Sequence, residues 1–193
     1  MRLFPRPVTA LALALTALAL PAHADAVTDR IDAARAAYDA QDLKTAGAEL
    51  AAASKAVAEM KARLLEAALP PAPDGWTRTI NTEYQANLAM AGGGTGAEAR
   101  YDATDGTSVT VNMMVDSPLM VMMMGMFGNP QMLAMMGKTV EVNGTTLLDQ
   151  DNSLTTVVDN RIMVSISGAA SEQLLPFAQG MDFAALVGFD SPR

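Results

Sequence analysis

Thioethers are the side chains with most chemistry to offer. Ten of the 15 methionines fall between Met113 and Met136. A thioether is soft, uncharged and mounted on an unbranched chain, so three uses follow. Such side chains can fill irregular gaps in a core. They can form a pliable apolar surface that repacks around a hydrophobic partner; that surface would consist of Leu119, Met120, Met122, Met123, Met124, Met126, Phe127, Met132, Met135 and Met136. They can also bind copper(I). Met120 with Met123 or Met124, and Met132 with Met135 or Met136, stand three or four residues apart, which on a helix brings sulfurs together. Asp116 is the nearest carboxylate to such a site, and no regular series of Met-x-x-Met units is present. Exposed methionines would also absorb oxidants. Core, surface and copper stay open here, and the surface is adopted as the expectation because it gives the segment a task.

Other chemistry is scarce. The chain has no cysteine and one histidine, His23, which the leader described below would carry away. A Ser-His-Asp triad, a cysteine nucleophile and Cys/His zinc or blue-copper sites are then excluded, as is any disulfide. Carboxylates alone can hydrolyse glycosides, so Asp102, Asp105, Asp116, Asp149, Asp151 and Asp159 keep a hydrolase open as the remaining enzymatic reading. Most of these sit beside turn residues, where aspartate is an ordinary turn former. The stretch Asp149-Gln150-Asp151-Asn152-Ser153 lacks the glycine and terminal glutamate of a calcium loop. Gly92-Gly93-Gly94-Thr95-Gly96 lacks the lysine of a phosphate loop and reads as a flexible loop before a strand at Ala97. No catalytic residue and no cofactor are expected.

The N-terminus explains the fate of His23. Arg2 and Arg6 precede an apolar run from Val8 to Leu20, and Ala22-His23-Ala24 places small residues three and one before a cut. These are the zones of a secretory signal peptide, predicted to be cleaved after Ala24. Thirteen apolar residues fall short of the roughly 20 that span a bilayer, and no cysteine follows to take a lipid. The mature protein is expected to be periplasmic or secreted, without an integral membrane segment. Two of the 13 basic residues leave with the leader, so 11 face 21 acidic ones and the net charge falls from −8 to −10. That charge repels phosphates, and nucleic acid is not an expected partner.

The elements that must position the methionine segment can be read from periodicity. Residues 25–69 are alanine-rich. Val27, Ile31, Ala34 and Tyr38 share one helical face. Beyond Ala40-Gln41, Asp42 can cap a second helix in which Leu43, Ala46, Leu50, Ala53, Val57, Met60, Leu64 and Ala67 follow a heptad seam. The spacing predicts an antiparallel helical hairpin, its longer second helix packing on the following domain or on another copy, so a homodimer through the hairpin is an open alternative. Lys44, Glu49, Lys55, Glu59, Lys61, Arg63 and Glu66 lie off the seam as a solvated face. Pro70 to Gly75 form a stiff linker. From residue 76 the pattern alternates with period two: Ala97, Ala99, Tyr101 and Ala103; Val109, Val111, Met113 and Val115; Val140 and Val142; Leu154, Thr156 and Val158; Ile162, Val164 and Ile166. Asp105-Gly106, Asn143-Gly144 and Asp159-Asn160 supply turns. Pro118 and Pro130 can each open a helix across the methionine segment, and a broken helix closes the chain between Ala170 and Gly188. Trp76 and Tyr84 are expected to anchor the domain's start to its core. The fold class is α+β: hairpin, antiparallel sheet, inserted methionine-rich helix, C-terminal helix.

An opening Asp74-Gly75-Trp76, an antiparallel sheet with one inserted helix, and a closing helix after the strand Arg161-Ile162-Met163-Val164 resemble PsbP-like secreted domains over roughly residues 74–189. The likeness rests on element order. It implies a non-enzymatic accessory or assembly factor and transfers no site residue. The expected function is an exported binding protein that meets a protein or lipid through its methionine-rich surface.

Overall fold

The computed structural model describes residues 26–118 and 130–191. It opens with helix α1 (Ala26–Asp39) and helix α2 (Leu43–Ala68). Gln41 turns the chain with φ of 61°. Asp42 then caps α2, accepting from the Thr45 backbone N–H at 3.1 Å and from its hydroxyl at 2.6 Å, which satisfies an amide that the first turn leaves without a helical partner.

Seven antiparallel strands follow: β1 (Trp76–Ile80), β2 (Thr95–Ala103), β3 (Ser108–Val115), β4 (Lys138–Val142), β5 (Thr145–Asp149), β6 (Ser153–Val158) and β7 (Ile162–Ser167). Helix α3 (Tyr84–Met90) lies between β1 and β2, α4 (Pro130–Met136) precedes β4, and α5 (Ser171–Gln179) and α6 (Phe183–Leu186) close the chain. The strand order is β1-β2-β3-β7-β6-β5-β4. Asn143-Gly144 has φ of 51° and 76°, and Asp159-Asn160 has 53° and 50°. Paired positive φ values are what a two-residue type I′ hairpin needs, and Asn, Asp and Gly adopt them most readily. The architecture is α+β, with hairpin, antiparallel sheet and C-terminal helix as the periodicity predicts.

Period-two alternation sorts the sheet into two faces. The inner face carries Ala97, Ala99, Tyr101, Val109, Val111, Met113, Val115, Leu147, Leu154, Val158, Ile162, Val164 and Ile166, all buried. The end of α2 covers it with Leu65 and Leu69, and α5 and α6 add Leu174, Phe177, Ala178, Phe183 and Leu186. Phe177 meets Trp76 edge-on at 5.1 Å and Tyr101 at 4.8 Å. The Tyr101 hydroxyl donates to the Pro70 carbonyl at 2.6 Å. Burial pushes that hydroxyl's pKa up to about 12, so it remains a donor and ties the linker to the core.

The outer face is laid out in rows. Glu98, Asn112, Ser165 and Thr155 make one polar row, and Arg100, Thr110, Ser167 and Ser153 another. A single apolar row, Met114–Met163–Val157, crosses β3, β7 and β6 at the end of β3 from which the methionine-rich segment departs.

Two elements escape the sequence pattern. Strand β1 alternates Trp76, Arg78 and Ile80 with threonines, a pattern obscured by the arginine on the inner side. There Arg78 donates to the Glu66 carbonyl at 2.9 Å, satisfying an acceptor in the last turn of α2. Helix α3 packs where glycine permits it: a Cβ on Gly96 would collide with the Met113 carbonyl and approach Leu88 and Tyr84 at 2.8 Å. Gln85 locks this contact, accepting from Gly96 N at 2.9 Å and donating to the Gly94 carbonyl at 3.2 Å. The glycine run is therefore not a plain flexible loop: β2 begins inside it, at Thr95.

Candidate functional site

Of the ten residues expected to form the apolar surface, Leu119, Met120, Met122, Met123, Met124, Met126 and Phe127 lie outside the described residues, as do three of the copper(I) candidates, Met120, Met123 and Met124. The remaining three sit on α4. Pro130 opens this helix, its missing N–H costing nothing in the first turn. Met135 is 88% exposed, Met132 43% exposed and Met136 half-buried. The other two methionines of the cluster belong to β3 and are buried, Met113 inward and Met114 on the outer face. Met90, at the end of α3, is 88% exposed. It lines a groove with Glu59, Ala62, Arg63 and Glu66 of α2.

The carboxylates distribute as turn formers and ion partners. Asp105 accepts from the Thr107 amide and Asp149 from the Asp151 amide. Asp102 is held by Arg100 and Ser108. Sequence spacing brings no two of them together, but the fold pairs Asp116 with Asp190. Lys61 Nζ lies 2.9 Å from Asp116 and 3.0 Å from Asp190. Arg161 binds both carboxylates through paired bonds of 2.9 and 3.1 Å to Asp116 and of 2.9 and 2.6 Å to Asp190. Its guanidinium also stands 5.7 Å over the Phe189 ring. Register explains half of the cluster: Val115 pairs with Ile162, which sets Asp116 beside Arg161. Asp116 adopts φ of 57° to turn the chain out of β3.

Arg161, and after it Lys61, hold both carboxyls well below the ordinary carboxylate range. The Asp116 bond raises Lys61. A glycosidase acid needs the opposite, a carboxyl kept protonated near neutrality. Two anions matched by two cations make an ionic clasp that ties α2, β3, β7 and the C-terminal end together. Among the described residues, no group of three or more His, Cys, Asp or Glu side chains could hold a metal ion, and no helix is long and apolar enough to cross a membrane.

A second apolar feature lies on the helical hairpin. Leu43, Leu50, Val57 and Leu64 on α2, with Met60, are exposed, and so are Ile31 and Tyr38 on α1. Only the alanine half of the heptad seam, Ala46 and Ala53 against Ala34, is buried within the hairpin. At the base of the stripe, Val27, Val57, Met60, Leu64 and Phe189 line a groove of about 470 Å³.

Fold and site together define an α+β protein in which a helical hairpin backs a seven-stranded antiparallel sheet. The chain belongs to the family described as Domain of unknown function (DUF7311), whose model matches residues 8–166. No curated protein matches it, and no solved structure does.

Proposed function

We propose that this chain is an exported, non-enzymatic binding or accessory protein, meeting a hydrophobic partner, protein or lipid, through its methionine-rich segment. The observation that carries this reading is the exposure of Met135 and Met132 on α4. Large apolar side chains standing in water on one helical turn gain free energy only when a partner covers them, by roughly 1.5–3 kcal/mol for a fully buried methionine. The resemblance to PsbP-like domains points the same way, as does a chain whose only histidine lies in its leader-like N-terminus.

The test compares the mature chain with a Met132→Asp, Met135→Asp double variant. The probes are neutral phosphatidylcholine vesicles, an amphipathic helical peptide and a fluorescent apolar-surface dye. The wild-type chain should bind the peptide or the vesicles, and the variant should bind at least ten-fold more weakly with an unchanged circular dichroism spectrum. Equal binding by both proteins, or no binding by the wild type, overturns the proposal. Titration against a chromogenic copper(I) chelator should show no withdrawal of metal. Withdrawal at a fixed stoichiometry that Met132→Leu and Met135→Leu abolish would replace apolar contact with copper(I) binding as the function.

A further inference from the structure

The open side of the hairpin has a geometry of its own. On α2, Ala46 and Ala53 face α1, and the leucine stripe stands about 60° further round the helix, at 100° per residue. On α1, Ala34 faces α2, and Ile31 and Tyr38, three residues before and four after it, stand on the corresponding flank. Because the two helices run antiparallel, both flanks turn to the same side. The ion pair Arg30–Glu49, at 2.9 Å, closes the opposite side. The sheet takes a third side of α2 at its C-terminal end, through Leu65 and, just beyond the helix, Leu69. The hairpin is left with two parallel apolar stripes of heptad spacing, bordered among the described residues only at their base, where Phe189 lines the groove with Val57, Met60 and Leu64.

We propose that a second copy of this chain docks on this face, giving an antiparallel four-helix bundle about a two-fold axis near Ser54. The stripe is its own complement. Reversed on itself about the midpoint between Ala53 and Ser54, it sets Leu43 opposite Leu64 and Leu50 opposite Val57. Such self-matching is what a two-fold interface demands. A period of seven on both helices specifies knobs-into-holes packing, which needs a partner of the same period. The face also has the size. Leu43 to Leu64 spans about 32 Å at 1.5 Å per residue, and two helices side by side are about 20 Å wide. A pair would bury roughly 1,300 Å² in total, within the range of stable specific interfaces. Charge selects the antiparallel arrangement. The stripes carry no acidic residue, and Lys61 beside them is already paired with Asp116 and Asp190. The acidic sheet domains then lie at opposite ends of the bundle, where their like charges are furthest apart.

Sedimentation equilibrium on the mature chain between 10 and 100 µM should return twice the monomer mass. Leu50→Glu with Val57→Glu changes two side chains already in water in the single chain, so the fold should persist while the mass halves. Ala48→Glu, exposed on another side of α2, should stay dimeric. In this cysteine-free protein, Ser54→Cys should cross-link into a covalent dimer under a copper–phenanthroline oxidant, whereas Ala48→Cys should not. A monomeric wild type at 100 µM, a double variant that keeps the dimer mass, or equal cross-linking from both cysteines overturns the proposal.

Discussion

Replacing Phe177 with alanine should lower the unfolding free energy by about 3–5 kcal/mol. Phe177 is 1% exposed and sits where three parts of the chain meet. Its ring is struck edge-on by Trp76 from β1 at an interplanar angle of 87°, and by Tyr101 from β2 at 62°. Edge-to-face pairs add about 0.5–1.5 kcal/mol each beyond burial. Truncation therefore loses the transfer free energy, two ring contacts and the filled volume beneath α5. Domains of this size hold only about 5–15 kcal/mol in total, so the variant should be marginal. Urea unfolding is the measurement, with the slope against denaturant unchanged. Trp76 is the chain's only tryptophan, and its emission should shift to the red in the folded variant as water reaches the vacated space. A loss below about 1 kcal/mol would mean that the C-terminal helices do not complete the core.

Arg161→Ala should cost about 1–3 kcal/mol at neutral pH, because it leaves Asp116 and Asp190 side by side with Lys61 as their only cation. Partial exposure of Arg161 and Asp116 keeps the estimate well below that for a fully buried pair. The pH dependence carries a definite sign. Both carboxyls titrate lower in the folded chain than the ordinary aspartate value of about 3.9. Their contribution is complete above that value and is lost as pH falls through the folded values, since the unfolded chain takes up the protons first. Lys61 is raised, so its share disappears only in strong alkali. Wild-type stability should hold from neutrality to about pH 4 and then fall, and Arg161→Ala should flatten the acid limb. An acid limb identical in the two proteins would show that the clasp contributes nothing to acid stability.

The sheet was legible because its inner residues alternate without interruption. Val109, Val111, Met113 and Val115, and Ile162, Val164 and Ile166, announce buried faces, and Asn143-Gly144 and Asp159-Asn160 mark their turns. Strand β1 was not legible, because Arg78 holds an inner position for the sake of a carbonyl on α2, a partner that local pattern cannot reveal. Helix α3 is seven residues long and depends on Gly96 for its place, so propensity alone does not find it. The heptad on α2 repeats in the sequence as one seam, but only its alanine half closes against α1; small residues let the helices approach so closely that the leucine half is left to one side. The clasp joins residues up to 129 positions apart, Lys61 and Asp190. Only the Asp116–Arg161 half could follow from strand register, and no local spacing encodes that. On the methionine segment the sequence names the side chains, and α4 adds which of its three described ones meet water.

Peroxide footprinting joined to binding gives the most direct test of apolar contact by exposed thioethers. Under mild hydrogen peroxide, Met132 and Met135 should convert to sulfoxide far faster than Met113 and Met181, which are buried. Binding to the amphipathic peptide or to neutral vesicles should fall in step with that conversion while circular dichroism stays constant, since a sulfoxide is polar and no longer gains from burial. Oxidation of Met132 and Met135 to completion with binding intact would contradict the account.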